Sequence, residues 1–193
     1  KYNPIEHVKS RIKTPESIVE KLHRKNREVS LNKAIETLRD LAGIRIICSF
    51  QDDIYALEES FLKQDDIELI ERKDYIKNPK PGGYRSLHLI IEVPIFLEKE
   101  KRPMKVEVQL RTIAMDFWAS LEHKIYYKFE GDAPDYISRD LRECAEMVST
   151  LDEKMLSLNE AIQECLEKQE ELNMSTKTKE SNREDQRVLQ GLD

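Results

Sequence analysis

Gly43-Ile44-Arg45-Ile46-Ile47-Cys48-Ser49-Phe50 decides the fold. Its β-branched isoleucines predict a buried strand. The one charge inside it, Arg45, would be costly without a partner, so something polar must meet it. Ahead of the run, residues 31–41 predict a helix that stops at Gly43. Behind it, 52–64 predict an amphipathic helix with Ile54, Leu57, Phe61 and Leu62 on one side. Further strands are predicted over 67–76, 86–93 and 104–111. A Pro/Gly-rich loop lies at 78–83, a turn at 99–103 and a helix at 112–128. Strands interleaved with helices make an α/β (α+β) domain around a mixed sheet of about five strands flanked by helices.

The segment before this core reads as two short helices. Asn3-Pro4-Ile5-Glu6 and Thr14-Pro15-Glu16-Ser17 each combine a capping residue with a proline at the first helical position, so the second helix should span 15–25. From Leu141 apolar residues fall on a heptad. Leu141, Val148, Met155 and Ile162 take one position, and Cys144, Leu151, Leu158 and Cys165 the other. This predicts a long C-terminal helix over 134–171 whose seam covers either the chain's own sheet or another subunit. Residues 172–193 read as a polar flexible tail.

Composition narrows the function. With 39% hydrophobic and 36% charged residues, the 193-residue chain can bury a core, and no apolar run suits a membrane span. Three separated cysteines without a CxxC pair suit a reducing cytoplasm and argue against a zinc site. The net charge of −6 hides a basic N-terminus: residues 1–27 carry +5, which leaves −11 for the remainder. That asymmetry favours small anionic ligands over a nucleic acid.

Three strands place polar groups where one cleft would gather them. Glu107, Gln109 and Arg111 share the face opposite Val106, Val108 and Leu110, and Ser86 and His88 share a face opposite Leu87 and Leu89. A strand with one wet face would show the same alternation; Arg45 inside its apolar run favours the cleft. The loop from Lys77 to Ser86 adds Lys80, Arg85, a Gly82-Gly83 pair and Tyr84, whose ring could stack on a base for about 1–3 kcal/mol. Taken alone, that loop is equally an ordinary hairpin connection. Asp40 and Glu107 are the candidate pair for magnesium, which takes one or two carboxylates together with phosphates and water. On the helix from Pro15, Ser17, Lys21 and either Arg24 or Lys25 share a face, with Arg11 and Lys13 just ahead of its N-terminus. A triphosphate could lie along it; a solvated helix face is the plain alternative. The acids Asp52, Asp53, Asp116 and Glu122 are expected to face solvent, and His123 to pack within its helix. There is no GxxxxGK[ST] loop and no GxGxxG turn.

Together these blocks resemble the synthetase domain of the RelA/SpoT family, most closely small alarmone synthetases of the RelP type. The likeness rests on residues 4–13, Asp40 to Phe50, Asp74-Tyr75-Ile76, Lys80 to His88, and Glu107 to Lys124. It implies a nucleotidyltransferase-like synthetase domain over 1–160 that moves the β,γ-pyrophosphate of ATP to the 3′-hydroxyl of GDP or GTP. By the same resemblance, Arg11 and Arg45 would sandwich the adenine, and Lys13, Ser17, Lys21 and Arg24 would hold the ATP phosphates. Asp40 and Glu107 would bind Mg2+, and Glu107 would also draw the acceptor proton. Tyr84 would stack on the guanine, with Lys80, His88 and Gln109 placing the acceptor and Lys73 near its phosphates. The resemblance further implies a cytoplasmic homotetramer. The absence of any His-Asp dipeptide points to a synthetase without the hydrolase half. His7, Lys9 and Asp116 stand where the product-activated RelQ type differs, so weak product activation is expected. The competing readings are a related nucleotidyltransferase with another acceptor, and a non-catalytic scaffold or RNA-binding module.

Overall fold

The computed structural model describes the backbone of residues 3–127 and 134–190, with side chains through Ile125 and, after Pro134, through Met174 except Leu172. Its elements in chain order are β1 (Ile5–Ile12), α1 (Pro15–Arg24), α2 (Leu31–Thr37), β2 (Ala42–Cys48) and α3 (Gln51–Leu62). They are followed by β3 (Glu68–Asp74), β4 (Leu87–Phe96), β5 (Lys101–Thr112), α4 (Ile113–Tyr127) and α5 (Asp135–Gln190). The chain divides into two compact units, 1–153 and 154–193. The second is the distal part of α5.

The sheet has five strands in the order β1-β2-β5-β4-β3. Only the β2–β5 pair is parallel, so the sheet is mixed as expected. One face carries the core: Cys48, Leu87, Leu89, Ile91, Val106, Val108 and Leu110 pack with Ile54 of α3 and Met115 of α4. Val106, Val108, Leu110, Leu87 and Leu89 are residues the period-2 pattern turned inward. The opposite face is left to the polar residues between them.

Residues 5–12 form an edge strand rather than the predicted helix. Asn3 Oδ1 does accept the N–H of Ile5, at 3.2 Å, but no helix follows. Ile5, Val8 and Ile12 have helical spacing, yet eight residues are too few to sustain a helix unaided. The unpaired edge of β2 offers a full antiparallel ladder from Ile5–Cys48 to Ile12–Ala42. Tertiary pairing overrides local preference. The second signal behaves as expected: Thr14 caps α1 through the N–H of Ser17, and Leu22 packs with Ala34 and Leu38 in a small core of its own.

The other departures are smaller. α2 ends at Thr37, because Leu38 is already extended and buried. The β4–β5 turn tightens to Leu97–Glu100, with the Leu97 N–H bonded to the Glu100 carbonyl at 2.9 Å, so β5 starts at Lys101. The backbone beyond Leu172 is helical to Gln190, correcting the expected tail. That stretch holds no Gly or Pro to stop a helix. Residues 191–193 lie outside the described part.

Candidate active site

The polar face is organised in rows set by strand register. Lys9, Arg45, Gln109, His88 and Lys73 stand side by side across β1, β2, β5, β4 and β3. The adjacent row places Arg11 beside Gly43 and Glu107. Arg11 packs over Gly43: a Cβ there would make ordinary contact, 3.6 Å from Cγ and Nε of Arg11 and 3.8 Å from the Glu107 carbonyl. The Arg11 side chain therefore lies across β2 toward β5. A cavity of about 330 Å³ opens here, lined by Lys9, Ser10, Arg11, Gly43, Ile44, Arg45, Glu107 and Gln109. A second, of about 430 Å³, shares Arg11 and Arg45 and continues to Tyr84, Arg111 and α4.

Asp40 sits on the short segment between α2 and β2. Leu38 anchors that segment in the small core, and the Lys13 N–H bonds the Leu41 carbonyl at 2.9 Å. Asp40 Oδ2 accepts from Lys21 at 2.6 Å and Lys13 at 2.9 Å. Burial alone would push its carboxyl up, but the two ammonium groups outweigh burial and hold it below its ordinary value. Its other oxygen, Oδ1, is buried and has no partner. An ionised, half-satisfied carboxylate oxygen is the kind of donor a hard cation takes.

Glu107 lines the first cavity from β5. His88 Nδ1 lies 3.3 Å from its Oε1. That hydrogen bond is the largest influence on the carboxyl and holds it below its ordinary value, against burial and the negative charge of Asp40. The two acids thus share one electrostatic environment. Among the described residues no three metal-ligating side chains cluster, so a cation here would rest on Asp40 and Glu107 and draw its remaining ligands from water and substrate.

The loop before β4 is a cage of rings and cations. Tyr75, Tyr84 and His88 meet edge to face, with centroids 5.3–6.1 Å apart. The Lys80 ammonium lies 4.7 Å from the Tyr75 ring centroid and 4.9 Å from that of Tyr84. The Tyr84 hydroxyl is 2.7 Å from His88 Nε2 and accepts from Arg111 Nη2 at 2.7 Å.

Of the residues singled out in the sequence, Lys13, Lys21 and Asp40 meet directly, as do Glu107 with His88 and Tyr84 with Lys80. Arg11, Arg45, Glu107 and Gln109 share one cavity. Ser17 stays beside Thr14, whose hydroxyl donates to its Oγ at 3.2 Å, and Arg24 is exposed at the end of α1. Lys73 stands across from His88, but its amine pairs with Glu71 at 3.2 Å.

Several assignments change. Asp116 does not face solvent: its Oδ1 accepts from Arg111 at 3.0 Å and Arg45 at 3.4 Å, which answers the charge inside the β2 run. Asp53 caps α3 by accepting the Phe50 N–H at 3.0 Å. Glu122 is half-buried in the second cavity. His123 is exposed at that cavity rather than packed in its helix. Asp52 is exposed, as expected. Arg111 and Tyr75 were not singled out for the site. Arg111 shares the face of Glu107 and Gln109, which was the available signal. Tyr75 offered none beyond its place before the loop.

On α5 the register that meets the body of the domain is Leu141, Ala145, Val148 and Asp152. Ala145 and Val148 pack on Trp118, whose indole N–H bonds the Leu141 carbonyl at 3.0 Å. The other heptad position, with Cys144, Leu151 and Leu158, is exposed.

A family model described as the region found in RelA / SpoT proteins matches residues 10–132. The chain is 52% identical over 161 residues to the GTP pyrophosphokinase YwaC of Bacillus subtilis (strain 168), covering 83% of this chain and 77% of that one. It is 39% identical over 164 residues to YjbM, a GTP pyrophosphokinase of the same organism, covering 85% and 76%. Among solved structures it is similar to the small alarmone synthetase 2 of Bacillus subtilis, with a TM-score of 0.77 and 83% of each chain covered, at 52% identity. The small alarmone synthetase 1 of that organism, bound to its product pppGpp, matches with a TM-score of 0.76 at 39% identity, covering 84% of this chain and 82% of that one.

Proposed function

The chain belongs to the RelA/SpoT family and is a GTP pyrophosphokinase of the small alarmone synthetase type; we propose that it moves the β,γ-pyrophosphate of ATP to the 3′-hydroxyl of GDP or GTP, giving AMP and ppGpp or pppGpp. The observation that carries this reading is that Glu107, held below its ordinary value by His88 and feeling the charge of Asp40, stands beside a row of Arg45, Gln109 and His88 on one sheet face.

The donor side is basic. Arg11 and Arg45 line both cavities, so a flat adenine between them would meet two planar guanidinium groups. Lys13, Lys21, Ser17 and Arg24 take the ATP phosphates. Each ammonium has three N–H groups, so a bond to Asp40 leaves donors for phosphate oxygens. On the acceptor side Tyr84 takes the guanine, Lys80, His88 and Gln109 place the nucleotide, and Lys73 lies toward its phosphates. Asp40 and Glu107 would hold Mg2+, which neutralises charge on the transferring phosphoryl groups when bound. Glu107, ionised and held by His88, draws the proton from the attacking hydroxyl. Positioning and charge neutralisation then account for most of the rate.

The compact unit 1–153 supports assigning catalysis to residues 1–160. The exposed Leu151, Met155, Leu158 and Ile162 on α5 support a subunit contact and a homotetramer. Among the described residues no helix is long and apolar enough to cross a membrane. The nucleotide substrates and the free cysteines suit the cytoplasm. Incubation with labelled ATP, magnesium and GDP or GTP should give labelled guanosine tetra- or pentaphosphate together with AMP, and chelation should stop it. ATP left intact with both acceptors would refute the reading.

A further inference from the structure

Four polar side chains form a chain that ends on the carboxylate assigned to proton removal. Arg111 Nη2 lies 2.7 Å from the Tyr84 hydroxyl, which lies 2.7 Å from His88 Nε2. His88 Nδ1 lies 3.3 Å from Glu107 Oε1. The two ends fix the direction of the outer links. A guanidinium only donates, and a carboxylate only accepts. His88 therefore donates from Nδ1 to Glu107, and in the tautomer that carries its proton there Nε2 is left to accept. Tyr84 accepts from Arg111 and, in that tautomer, gives its single hydroxyl proton to Nε2. This ordering gives each of the three links one proton and corresponds to one imidazole tautomer.

Arg111 is anchored well enough to hold such a chain. The residue is 4% exposed, and its Nη1 donates to Asp116 Oδ1 at 3.0 Å. Nη2 also reaches Gln109 Oε1 at 3.3 Å, and its Cζ lies 5.1 Å from the Tyr84 ring centroid. Asp116 is shared with Arg45, so two guanidinium groups lean on one carboxylate. Such a cluster is a poor way to stabilise a core, since apolar side chains of similar volume often do as well or better. Its value lies in orientation.

We propose that Arg111 is a positioning residue that acts through Tyr84 and His88 on Glu107, fixing the orientation of the His88 ring and aiming the Glu107 carboxylate at the acceptor hydroxyl. The inference rests on the function proposed above. It divides Tyr84 into two separable roles: the ring face serves the guanine, and the hydroxyl serves the chain.

Tyr84→Phe tests that division, because it keeps the face and removes the hydroxyl. With purified enzyme, ATP, magnesium and GDP, its kcat should fall roughly ten- to a hundredfold, as small misplacements of reacting groups do, while the KM for GDP stays within about twofold of wild type. Arg111→Lys keeps the charge and loses the fork, and should lower kcat in the same way. The double variant should be no slower than the slower single one, since both cut one chain. If Arg111→Lys does not fold, Asp116→Asn, which releases the Arg111 anchor, takes its place in the cycle under the same criterion. An unchanged kcat in Tyr84→Phe, a loss confined to KM, or losses that multiply in the double variant overturns the proposal. A wild-type enzyme that makes no guanosine tetraphosphate in this assay refutes the functional reading itself, which the variants alone cannot do.

Discussion

A Cβ on Gly83 would stand 2.4 Å from the Cβ of Ala145, so the acceptor loop and α5 meet where neither chain has room for another methyl group. Gly83 also has φ +92°, in the left-handed region that favours glycine. Tyr84 follows it directly. Gly83→Ala should therefore strain the backbone and displace Tyr84 together, lowering stability by about 1–3 kcal/mol and raising the KM for the guanine nucleotide. Gly82, with nothing within 4 Å of its would-be Cβ, is the control. Thermal melts and KM values for the two alanine variants check this; equal behaviour would contradict the close approach as the cause.

Glu107→Gln should remove the proton acceptor and one of the two cation ligands without altering shape. The amide can still accept from His88 through its oxygen. Turnover should fall by at least about a thousandfold, toward the upper end of what general-base removal costs, with the circular dichroism spectrum unchanged. Turnover near wild type would take Glu107 out of the chemistry.

The parts of this architecture that repeat every second residue were legible in the sequence. Val106, Val108 and Leu110 turned inward as their alternation predicted, and Glu107 and Gln109 turned to the cleft. β1 was not legible, because its pattern is helical and only the edge of β2, some 30 residues on in the chain, decides otherwise. The partner of Arg45 was hidden for a similar reason: Asp116 is 71 residues away and sits on a helix face that looked solvated. The α5 heptad disclosed a helix, but not which register would pack inward. That choice turns on Ala145, a small residue valued for a close approach no periodicity reveals.

Asp152 supplies a pH dependence of stability. It is 6% exposed, where Thr112 Oγ1 donates to it at 2.8 Å and Gln51 Nε2 at 3.5 Å. Burial raises its carboxyl above the ordinary value, with the charge of Glu153 adding to the effect and the two hydrogen bonds opposing it. Arg85 lines the same small cleft, but its guanidinium donates to the carbonyls of Gly83 and Ala145. A carboxyl raised on folding favours the folded state below its unfolded value and loses that contribution as pH rises through the folded value. Asp152→Asn keeps an oxygen for Thr112 and removes the charge. The variant should gain melting temperature over wild type near neutral pH, and the gain should shrink in acid. A gain independent of pH would assign the effect to packing instead.

Cys48 should be inert in the folded protein. It is fully buried in the sheet core, and burial, followed by the charge of Asp53, pushes its thiol up to about 12. Since the thiolate is the reactive form, almost none is present at pH 8, and access is blocked besides. Cys144 and Cys165 are free and exposed on α5. Iodoacetamide at pH 8 should label both on the native protein and reach Cys48 only after denaturation, as read by peptide mass spectrometry. Protection of Cys144 and Cys165 that grows with protein concentration would mark the α5 seam as a subunit contact, because dilution exposes a contact between copies and leaves a core residue covered. Labelling of Cys48 at the rate of the other two would mean that the β2–β5 core opens on the timescale of the reaction.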